Sequence, residues 1–245
     1  MQHLLQKYGR LTALREAEAE IFNNLGRSRR EYQAGDILVA SDLADPDQLY
    51  IVDEGRFFAS LELAGGERAI TRLYFPGDIM GTANIPFEHA TQSITANTEA
   101  TVYTFPRQSL VDAFARMPRV AAIFYTFAAL ENAILNDRLV SVGRTRGRAR
   151  LAALLLEIAS REHLVDDEPQ SICRPLLTQE QIGDAIGLTV VQVSRLFKIL
   201  SEENLIERTN GQIRLLDRAR LEEMGQFRDR YADLDLSWFS EPAIS

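Results

Sequence analysis

The stretch LTQEQIGDAIGLTVVQVSRLFKILSEENLIERTNGQIRLLD, residues 177–217, decides the fold of the C-terminal part of the chain. Two capping boxes occur in it, in which a threonine hydroxyl accepts from the backbone N–H three residues on and a glutamine side chain reaches back. Thr178 with Gln181 predicts a helix from about 179, and Thr189 with Gln192 predicts another from about 190. The stretch therefore predicts two consecutive helices joined by a short turn.

Glycines predict the turn between these helices. Gly187 lies where a tight turn favours positive φ, and Gly183, one helical turn earlier, lets the helices approach closely. Asn210-Gly211 lies between two short apolar runs and predicts a hairpin, the wing of a winged helix. The apolar residues at the inward positions of a helix-turn-helix are Ile182, Ile186, Leu188, Val193 and Leu196.

The outward face of the second helix predicts contact with DNA. Its hydroxyls, amide, guanidinium, ammonium and methyl groups suit base edges in the major groove, and it has no carboxylate. Base edges carry sequence information, whereas phosphate contacts only fix position, so a recognition helix needs such groups. A winged helix used for protein contacts is the alternative. The predicted DNA-binding residues are Thr178, Thr189, Val190, Val191, Gln192, Ser194, Arg195 and Lys198.

Composition sets the class of protein. The chain has 245 residues, 46% hydrophobic and 25% charged, which is typical of a globular protein with one large domain or two small ones. Its net charge of -8 predicts no chain-wide attraction to nucleic acid. A basic run departs from that average and predicts a local positive face, although such a run is more often a solvated surface. It comprises Arg138, Arg144, Arg146, Arg148 and Arg150.

The single cysteine limits the chemistry. Cys173 can form neither an internal disulfide nor a cysteine zinc site, and it indicates a reducing compartment. It is either an inert strand residue or a redox switch. No apolar run reaches the roughly 18 residues of a membrane span, and residues 1–12 lack the order of a signal peptide. We expect a cytoplasmic protein without membrane contacts.

The N-terminal part predicts a β-roll. Residues 11–25 have helical spacing and predict a short lead-in helix. From about 28 to 106, short β-prone runs separated by turn residues predict an antiparallel sandwich or roll. Gly65-Gly66 predicts a hairpin with a primed turn, in which both central residues have positive φ. The predicted fold class is therefore α+β.

A long helix is predicted after the roll. Residues 108–116 form a first helix, and Pro118 opens a second that extends to about 142, because proline is tolerated in a first helical turn. A further apolar helix is predicted over 150–164. Apolar residues along the long helix step by three and four, as in a coiled-coil seam, or as in a helix packed on its own domain. The predicted dimer seam consists of Val120, Ile123, Phe124, Phe127, Leu130 and Ile134.

Residues from about 20 to 225 resemble the CRP/FNR family of catabolite-activator and fumarate-nitrate-reduction regulators. The resemblance rests on AGDILVASD, DQLYIVDEG, the Gly65-Gly66 turn and FPGDIMG in the N-terminal part, and on the helix-turn-helix in the C-terminal part. It implies a roll like those that hold cyclic nucleotides and a bacterial homodimer paired along the helix at about 119–142. It also implies two winged helices on a palindromic site, and RNA polymerase as a partner if the protein is an activator. The matching turn glycines are Gly35, Gly55, Gly77 and Gly81.

Departures from the family's pattern concern the effector. Members that bind cyclic AMP use a Gly-Glu and an Arg-Ser pair in the roll and a Thr-Ser pair on the long helix. Without the arginine, a cyclic phosphate loses a charge-assisted, bidentate partner, so we expect no tight binding of cyclic AMP. The effector is unidentified. The matching positions form the candidate effector pocket: Gly81, Thr82, Gln92, Ser93, Leu135 and Asn136.

Cofactors of other family branches are limited by residue counts. The oxygen-sensing branch needs four cysteines for its iron–sulfur cluster, so one cysteine excludes that cluster. Haem-binding sensors also occur in the family, and the histidines leave haem open. They are His3, His89 and His163, of which His89 lies in the loop beside the candidate pocket.

The recognition helix also departs from the family. The common Glu-x-x-Ser-Arg is replaced by Val191-x-x-Ser194-Arg195. Loss of the glutamate removes an acceptor for a cytosine amino group. We expect Ser194 and Arg195 to retain the family's outer half-site contacts, while Val191 contacts a thymine methyl instead.

Four parts are predicted: a sensing roll over 1–107, a dimerisation helix over 108–143, a winged-helix DNA-binding domain over 144–225 and a tail over 226–245. A hinge near 141–143 is expected to couple an effector to the winged helices. The predicted function is a homodimeric, sequence-specific DNA-binding transcription regulator. The alternative is a cyclic-nucleotide-binding regulatory module that acts through protein contacts. Catalytic motifs and metal-spaced residues are lacking, so neither an enzyme nor a metal site is expected.

Overall fold

The structure, a computed structural model, is that of an α+β chain in which a β-roll precedes a winged helix. None of the helices in the described part of the chain has the length and hydropathy that a membrane crossing requires. The described residues are 1–26, 28–42, 47–165, 169–236 and 238.

Two helices precede the roll, and the second lies within residues 11–25, for which the sequence predicts a helix. α1 spans Gln2–Leu11 and α2 spans Glu16–Asn23. The chain is extended at Thr12, where α1 ends. It begins a new helix at Arg15, whose backbone N–H donates to the Glu18 carboxylate at 2.9 Å. The predicted lead-in helix is therefore present as α2 but starts later, because the backbone is extended at Thr12 and the cap at Arg15 begins the helix. The sequence pattern does not predict α1.

The roll consists of two antiparallel four-stranded sheets, as predicted. Its strands are β1 Ser28–Tyr32, β2 Ile37–Val39, β3 Gln48–Glu54, β4 Phe57–Glu62, β5 Arg68–Tyr74, β6 Ile79–Met80, β7 Ser93–Ala96 and β8 Ala100–Pro106. The strand orders are β1-β8-β3-β6 and β2-β7-β4-β5. Alternate residues of both sheets face each other, so the apolar side chains meet in one core. Its buried members include Val52, Phe57, Met80, Ile94 and Val102.

The two glycine-containing hairpins differ. The hairpin predicted at Asn210-Gly211 is present, and both central residues of its turn are left-handed, with φ of 48° and 79°. In the first hairpin only Gly66 has positive φ, and the Leu63 N–H donates to the Glu67 carbonyl at 2.8 Å. The primed turn predicted there is wrong. The loop has three residues, in which an ordinary turn ends in one left-handed glycine.

Three helices follow the roll. α3 spans Gln108–Arg116, α4 spans Pro118–Arg144 with the proline in its first turn, and α5 spans Gly147–His163. α4 ends where Thr145 adopts extended backbone, and Arg146 precedes α5. Residues 141–143, where a hinge is expected, therefore lie in the last turn of α4. The helix is interrupted after them, at Thr145 and Arg146.

The C-terminal part is a winged helix. It comprises β9 Ile172–Cys173, α6 Gln179–Ile186, α7 Val190–Glu202, β10 Ile206–Thr209, β11 Gln212–Leu215 and α8 Arg218–Gly225. The three strands pair in the order β10-β11-β9, all antiparallel. α6 and α7 form the predicted helix-turn-helix, and β10 with β11 forms the wing.

The roll and the winged helix share a core. Phe58, Ile70, Leu73 and Phe75 of the roll belong to one buried cluster with α5, α6 and α7. An ion pair lies beside it, in which Arg68 on β5 contacts the Asp184 carboxylate on α6 at 2.7 Å. The helix-turn-helix is therefore seated on the roll of its own chain.

Candidate functional site

The helix-turn-helix has the local geometry that its sequence predicts. The Thr178 hydroxyl accepts from the Gln181 N–H at 3.1 Å, and the Thr189 hydroxyl accepts from the Gln192 N–H at 3.3 Å. Gly187 ends α6 with φ of 66°. A Cβ on Gly183 would lie 2.3 Å from the Leu188 carbonyl oxygen, so only glycine permits this approach. The inward residues are buried or half-buried: Ile182, Ile186, Leu188, Val193 and Leu196.

One face of α7 is exposed from its N-cap to Lys198. Val191 is 78% exposed, and the Lys198 ammonium lies 3.7 Å from Glu202. Among the described residues, Arg195 has no ion-pair or hydrogen-bond partner. Its guanidinium is thus free to meet an incoming acceptor. All the predicted DNA-binding residues are exposed: Thr178, Thr189, Val190, Val191, Gln192, Ser194, Arg195 and Lys198.

The side-chain oxygen of Gln192 is used in the N-terminal cap of α7. It accepts from the Thr189 N–H at 2.9 Å and from the Thr189 hydroxyl at 3.2 Å. Bidentate reading of adenine uses both the oxygen and the amino group of a glutamine. While the capping box holds, Gln192 can offer a base only its amino group.

The basic run is less exposed than the sequence predicts. Arg138 donates to both oxygens of Glu157 at 2.8 and 2.9 Å, and Arg148 pairs with Glu203. Arg150 donates to two backbone carbonyls at 3.1 and 3.2 Å. These arginines are held in contacts with other parts of the chain, so the prediction of one positive face over the whole run is wrong. The exposed members are Arg144 and Arg146.

A cavity of about 200 Å³ lies between the roll, α1 and α4. Arg72, Tyr74 and Thr82 line it from the roll, and Glu131 lines it from α4. Arg72 lies 3.4 Å from the Glu131 carboxylate. Burial raises the pKa of the Tyr74 hydroxyl, which stays protonated and can donate. The remaining lining residues are Lys7, Tyr8, Asp78, Ile79, Ala83, Phe124, Phe127 and Ala128.

The structure does not bring the predicted pocket residues together. Thr82 lines the cavity, and Gly81 beside it is a buried turn residue with φ of 90°. Gln92 accepts from the Thr71 hydroxyl at 3.2 Å, and Ser93 accepts from a backbone N–H at 3.1 Å, so both serve the roll itself. The last two predicted residues are exposed on α4: Leu135 and Asn136.

The motifs of the sequence do not single out the cavity residues Arg72 and Glu131, although both interrupt an apolar pattern. Arg72 interrupts the apolar strand RAITRLYF, and Glu131 follows a run of apolar residues on α4. A charge at a position that periodicity assigns to the interior is the signal that could have identified them. Nothing in the pattern shows that they meet, because they are far apart in the chain.

A buried charge cluster closes one side of the cavity. Asp78 contacts Arg161 at 2.6 Å and also pairs with Lys7, and Arg161 lies 3.3 Å from Glu131. Burial by itself would raise the pKa of Asp78, but Arg161 and Lys7 outweigh it and hold that pKa below its usual value. The cluster ties α1, the roll, α4 and α5 together.

α4 has two apolar faces, and the predicted dimer seam is the internal one. Val120, Ile123, Phe127, Leu130 and Ile134 are at most 9% exposed, because they pack with α1, α2 and the roll. Phe124 is half-buried in the same cluster. This is the alternative that the pattern left open. The opposite face is exposed, and its residues also step by three and four: Tyr125, Ala128, Asn132, Leu135, Leu139 and Val142.

The histidines and the cysteine lie away from the cavity. The His3 ring nitrogen contacts the Asp53 carbonyl at 2.6 Å, His89 is exposed and His163 ends α5. The cavity's described lining thus offers haem no imidazole as an axial ligand. Cys173 is fully buried, and burial raises its pKa, which argues against a redox switch. Within the described ranges, no three His, Cys, Asp or Glu residues are grouped to hold a metal.

Comparisons with known proteins match both parts of the chain. Residues 149–224 match the Crp-like helix-turn-helix domain, and residues 29–117 match the cyclic nucleotide-binding domain. The chain is 31% identical over 214 residues to the nitrogen fixation regulation protein FixK of Bradyrhizobium diazoefficiens, across 87% of this chain and 88% of that relative. It is 29% identical over 211 residues to the transcriptional regulatory protein btr of Bordetella pertussis, across 84% and 85%.

A solved structure shows the same fold. FixK2 from Bradyrhizobium japonicum has a TM-score of 0.72 at 24% identity, across 80% of this chain and 96% of that one. The two matched domains follow in the order that the fold shows, the sensory one first. From these domains and from the identity to FixK, the chain belongs to the CRP/FNR family of transcription regulators, with a helix-turn-helix DNA-binding domain and a cyclic-nucleotide-binding-like sensory domain.

Proposed function

We propose that the protein is a homodimeric regulator that binds a palindromic DNA site with one α7 from each protomer in the major groove. The exposed face of α7 carries this proposal. From Thr189 to Lys198 it has no carboxylate, and Arg195 has no partner among the described residues. Such a face is attracted to the duplex even though the chain's net charge is -8. The protein then acts in the compartment that holds the DNA, the cytoplasm of a bacterium.

Base reading is divided among three side chains. Arg195 can donate bidentately to the O6 and N7 atoms of a guanine, and Val191 can pack on a thymine methyl. Ser194 lies between them and can donate or accept. The Thr178 hydroxyl at the start of α6 is placed to contact a phosphate, as the first helix of this motif crosses the backbone. The expected site is a pair of half-sites about one helical turn apart.

The dimer forms along the exposed face of α4. Tyr125 and Leu139 are each 69% exposed, and the stripe that joins them is apolar except at Asn132. Residues that step by three and four form a coiled-coil seam, and a single polar residue within a seam favours one register. Two copies related by a two-fold axis bury this stripe and place both recognition helices on the same side of the dimer.

The effector site is the cavity between the roll and α4. Arg72, Tyr74 and Thr82 supply a cation and two hydroxyls on one wall, and aromatic rings from α4 form the other. A ligand that pairs with Arg72 separates it from Glu131 and so changes what α4 contacts. If the effector and DNA both bind more tightly to the same arrangement of α4, each of them raises the protein's affinity for the other by the same factor.

The test is selection of genomic DNA fragments by the purified full-length protein, with and without cyclic AMP. We expect one enriched palindrome and no dependence on cyclic AMP. Absence of any enriched palindrome would refute the proposed mode of binding. A strong requirement for cyclic AMP would refute the expectation that the roll does not bind cyclic AMP tightly.

A further inference from the structure

Residues 226–236 connect the winged helix back to α4. α8 packs so closely on α5 that a Cβ on Gly225 would lie 3.0 Å from the Ala153 backbone nitrogen. Gln226 turns the chain with φ of 48°. The segment therefore leaves the winged helix from a firmly packed point and returns to the sensory part of the chain.

The first anchor of this segment is Arg230. Its Nε and Nη2 donate to the two carboxylate oxygens of Asp137 on α4, at 2.7 and 2.8 Å. A bidentate pair fixes direction as well as distance, because the planar guanidinium must align with the carboxylate. Arg230 therefore restricts rotation of the segment about α4.

The second anchor is Tyr231, which is 8% exposed. Its hydroxyl donates to Glu131 of α4 at 3.2 Å, and its ring lies 5.6 Å from the Lys7 ammonium and 6.0 Å from the Arg161 guanidinium. Tyr231 belongs to the core cluster of α1, α2 and α4, not to that of the winged helix. The segment thus inserts a side chain into the core beside the dimer helix.

We propose that residues 226–236 form a clamp that sets the orientation of the winged helix relative to α4, with Arg230 and Tyr231 as positioning residues. The chain already links the two through Thr145 and Arg146, where α4 and α5 separate. The winged helix also packs on the roll, and residues 226–236 add a second, direct attachment to α4 that further limits rotation of the winged helix about α4. Because α4 carries the dimer face, the clamp fixes the distance between the two recognition helices.

This inference rests on the proposed dimer on a palindrome, and it concerns the spacing of half-sites. A clamped dimer has its recognition helices arranged before it meets DNA, so it binds one spacing well and others poorly. A dimer without the clamp keeps the contact between winged helix and roll but loses the direct attachment to α4, so the orientation of each winged helix relative to α4 is less restricted and more spacings are accepted. Binding of one winged helix to one half-site does not depend on the clamp.

The test compares three duplexes: the selected palindrome, the same palindrome lengthened by two base pairs, and a single half-site. We expect Arg230→Glu and Asp137→Arg each to weaken binding to the palindrome by roughly tenfold and to reduce its preference over the lengthened site. Half-site affinity stays unchanged. The double variant, with the charges exchanged, regains the preference. Arg228→Glu, which makes the same charge change on the same segment at an exposed residue, is the matched control.

Tyr231→Phe removes only the hydroxyl and is the second probe, with thermal melting to show that each variant is folded. The clamp is refuted if the single variants keep the wild-type spacing preference, or if the exchanged pair fails to restore it. Equal losses on the palindrome and the half-site would refute it too. If the wild-type protein binds the palindrome no better than the half-site, the proposed dimeric binding is refuted. The proposed clamp is then refuted as well, because it depends on that dimer.

Discussion

The Arg161 guanidinium of α5 lies 2.6 Å from the Asp78 carboxylate of the roll, and the two side chains are only 2% and 4% exposed. Lys7 of α1 pairs with the same carboxylate. One buried anion thus joins the N-terminal helix, the roll and the first helix of the winged-helix part. Because the Asp78 carboxylate is buried and pairs with residues of two other elements, its loss is expected to lower the stability of the whole chain.

Asp78→Asn is expected to destabilise the protein by about 3–5 kcal/mol at neutral pH, because it leaves the buried Lys7 without its carboxylate and removes the shortest ion pair of Arg161. Since the folded pKa of Asp78 lies below its unfolded value, the carboxylate stabilises the fold above the unfolded pKa of about 3.9. That contribution is lost as pH falls through the folded pKa. Urea unfolding of both proteins should show a constant difference above about pH 5 that shrinks in more acidic solution. A difference that grows towards acid would contradict the assigned direction.

Cys173 is expected to be unreactive in the folded protein. It is fully buried in β9, and burial raises the pKa of its thiol, so little thiolate forms and reagents cannot reach it. A thiol-specific chromogenic reagent should label it only after denaturant unfolds the chain. Rapid labelling of native protein, or a change in DNA affinity on mild oxidation, would restore the redox-switch interpretation.

The winged helix could be predicted from sequence because its signals are local. Thr178 and Thr189 cap their helices within three residues, and Gly187 and Gly211 adopt positive φ within their own turns. The Gly65-Gly66 loop shows the limit of such signals. A Gly-Gly pair permits several turns, and the pairing of β4 with β5 selects a loop with one left-handed residue.

The sensory site could not be predicted in the same way, because its residues meet only through the fold. Arg72 and Glu131 are 59 positions apart and come together when α4 packs on the roll. The face of α4 shows a related limit. The periodicity of α4 identifies the stripe that contains Ile134, but α1, α2 and the roll cover that stripe. The stripe around Leu139, whose apolar pattern is less regular, is the one that stays exposed.

The two faces of α4 predict different effects of the same substitution. Leu135 is 43% exposed and Ile134 is 9% exposed. Leu135→Asp should dissociate the dimer and leave each chain folded, because it places like charges across the seam. Ile134→Asp should unfold the chain, because it buries a carboxylate without a partner. Sedimentation and circular dichroism separate the outcomes, and a Leu135→Asp protein that remains dimeric would exclude this face as the interface.

Val191 allows the base preference to be altered. Val191→Glu restores the acceptor that the family commonly has there, and a glutamate accepts from the cytosine amino group. We expect the preferred base at one position of each half-site to change from thymine to cytosine. The difference in binding free energy between the two bases should be about 1–3 kcal/mol. Repeating the DNA selection with the variant measures this. An unchanged preference at every position would show that residue 191 does not face a base.

Arg195→Ala tests whether Arg195 reads a base or contacts a phosphate. Arg195 is exposed on α7, with no partner among the described residues, so its removal leaves the fold intact. If it reads guanine bidentately, affinity should fall by about 1–3 kcal/mol, and preference should relax at one base pair of each half-site. Lys198→Ala is the comparison, since an ammonium that contacts phosphate weakens binding to every sequence alike and lowers the salt dependence. Binding to a set of single-base variants at two salt concentrations distinguishes the roles. A loss for Arg195→Ala that is uniform over all sequences would make it a phosphate contact, and the base reading would have to come from Val191 and Ser194.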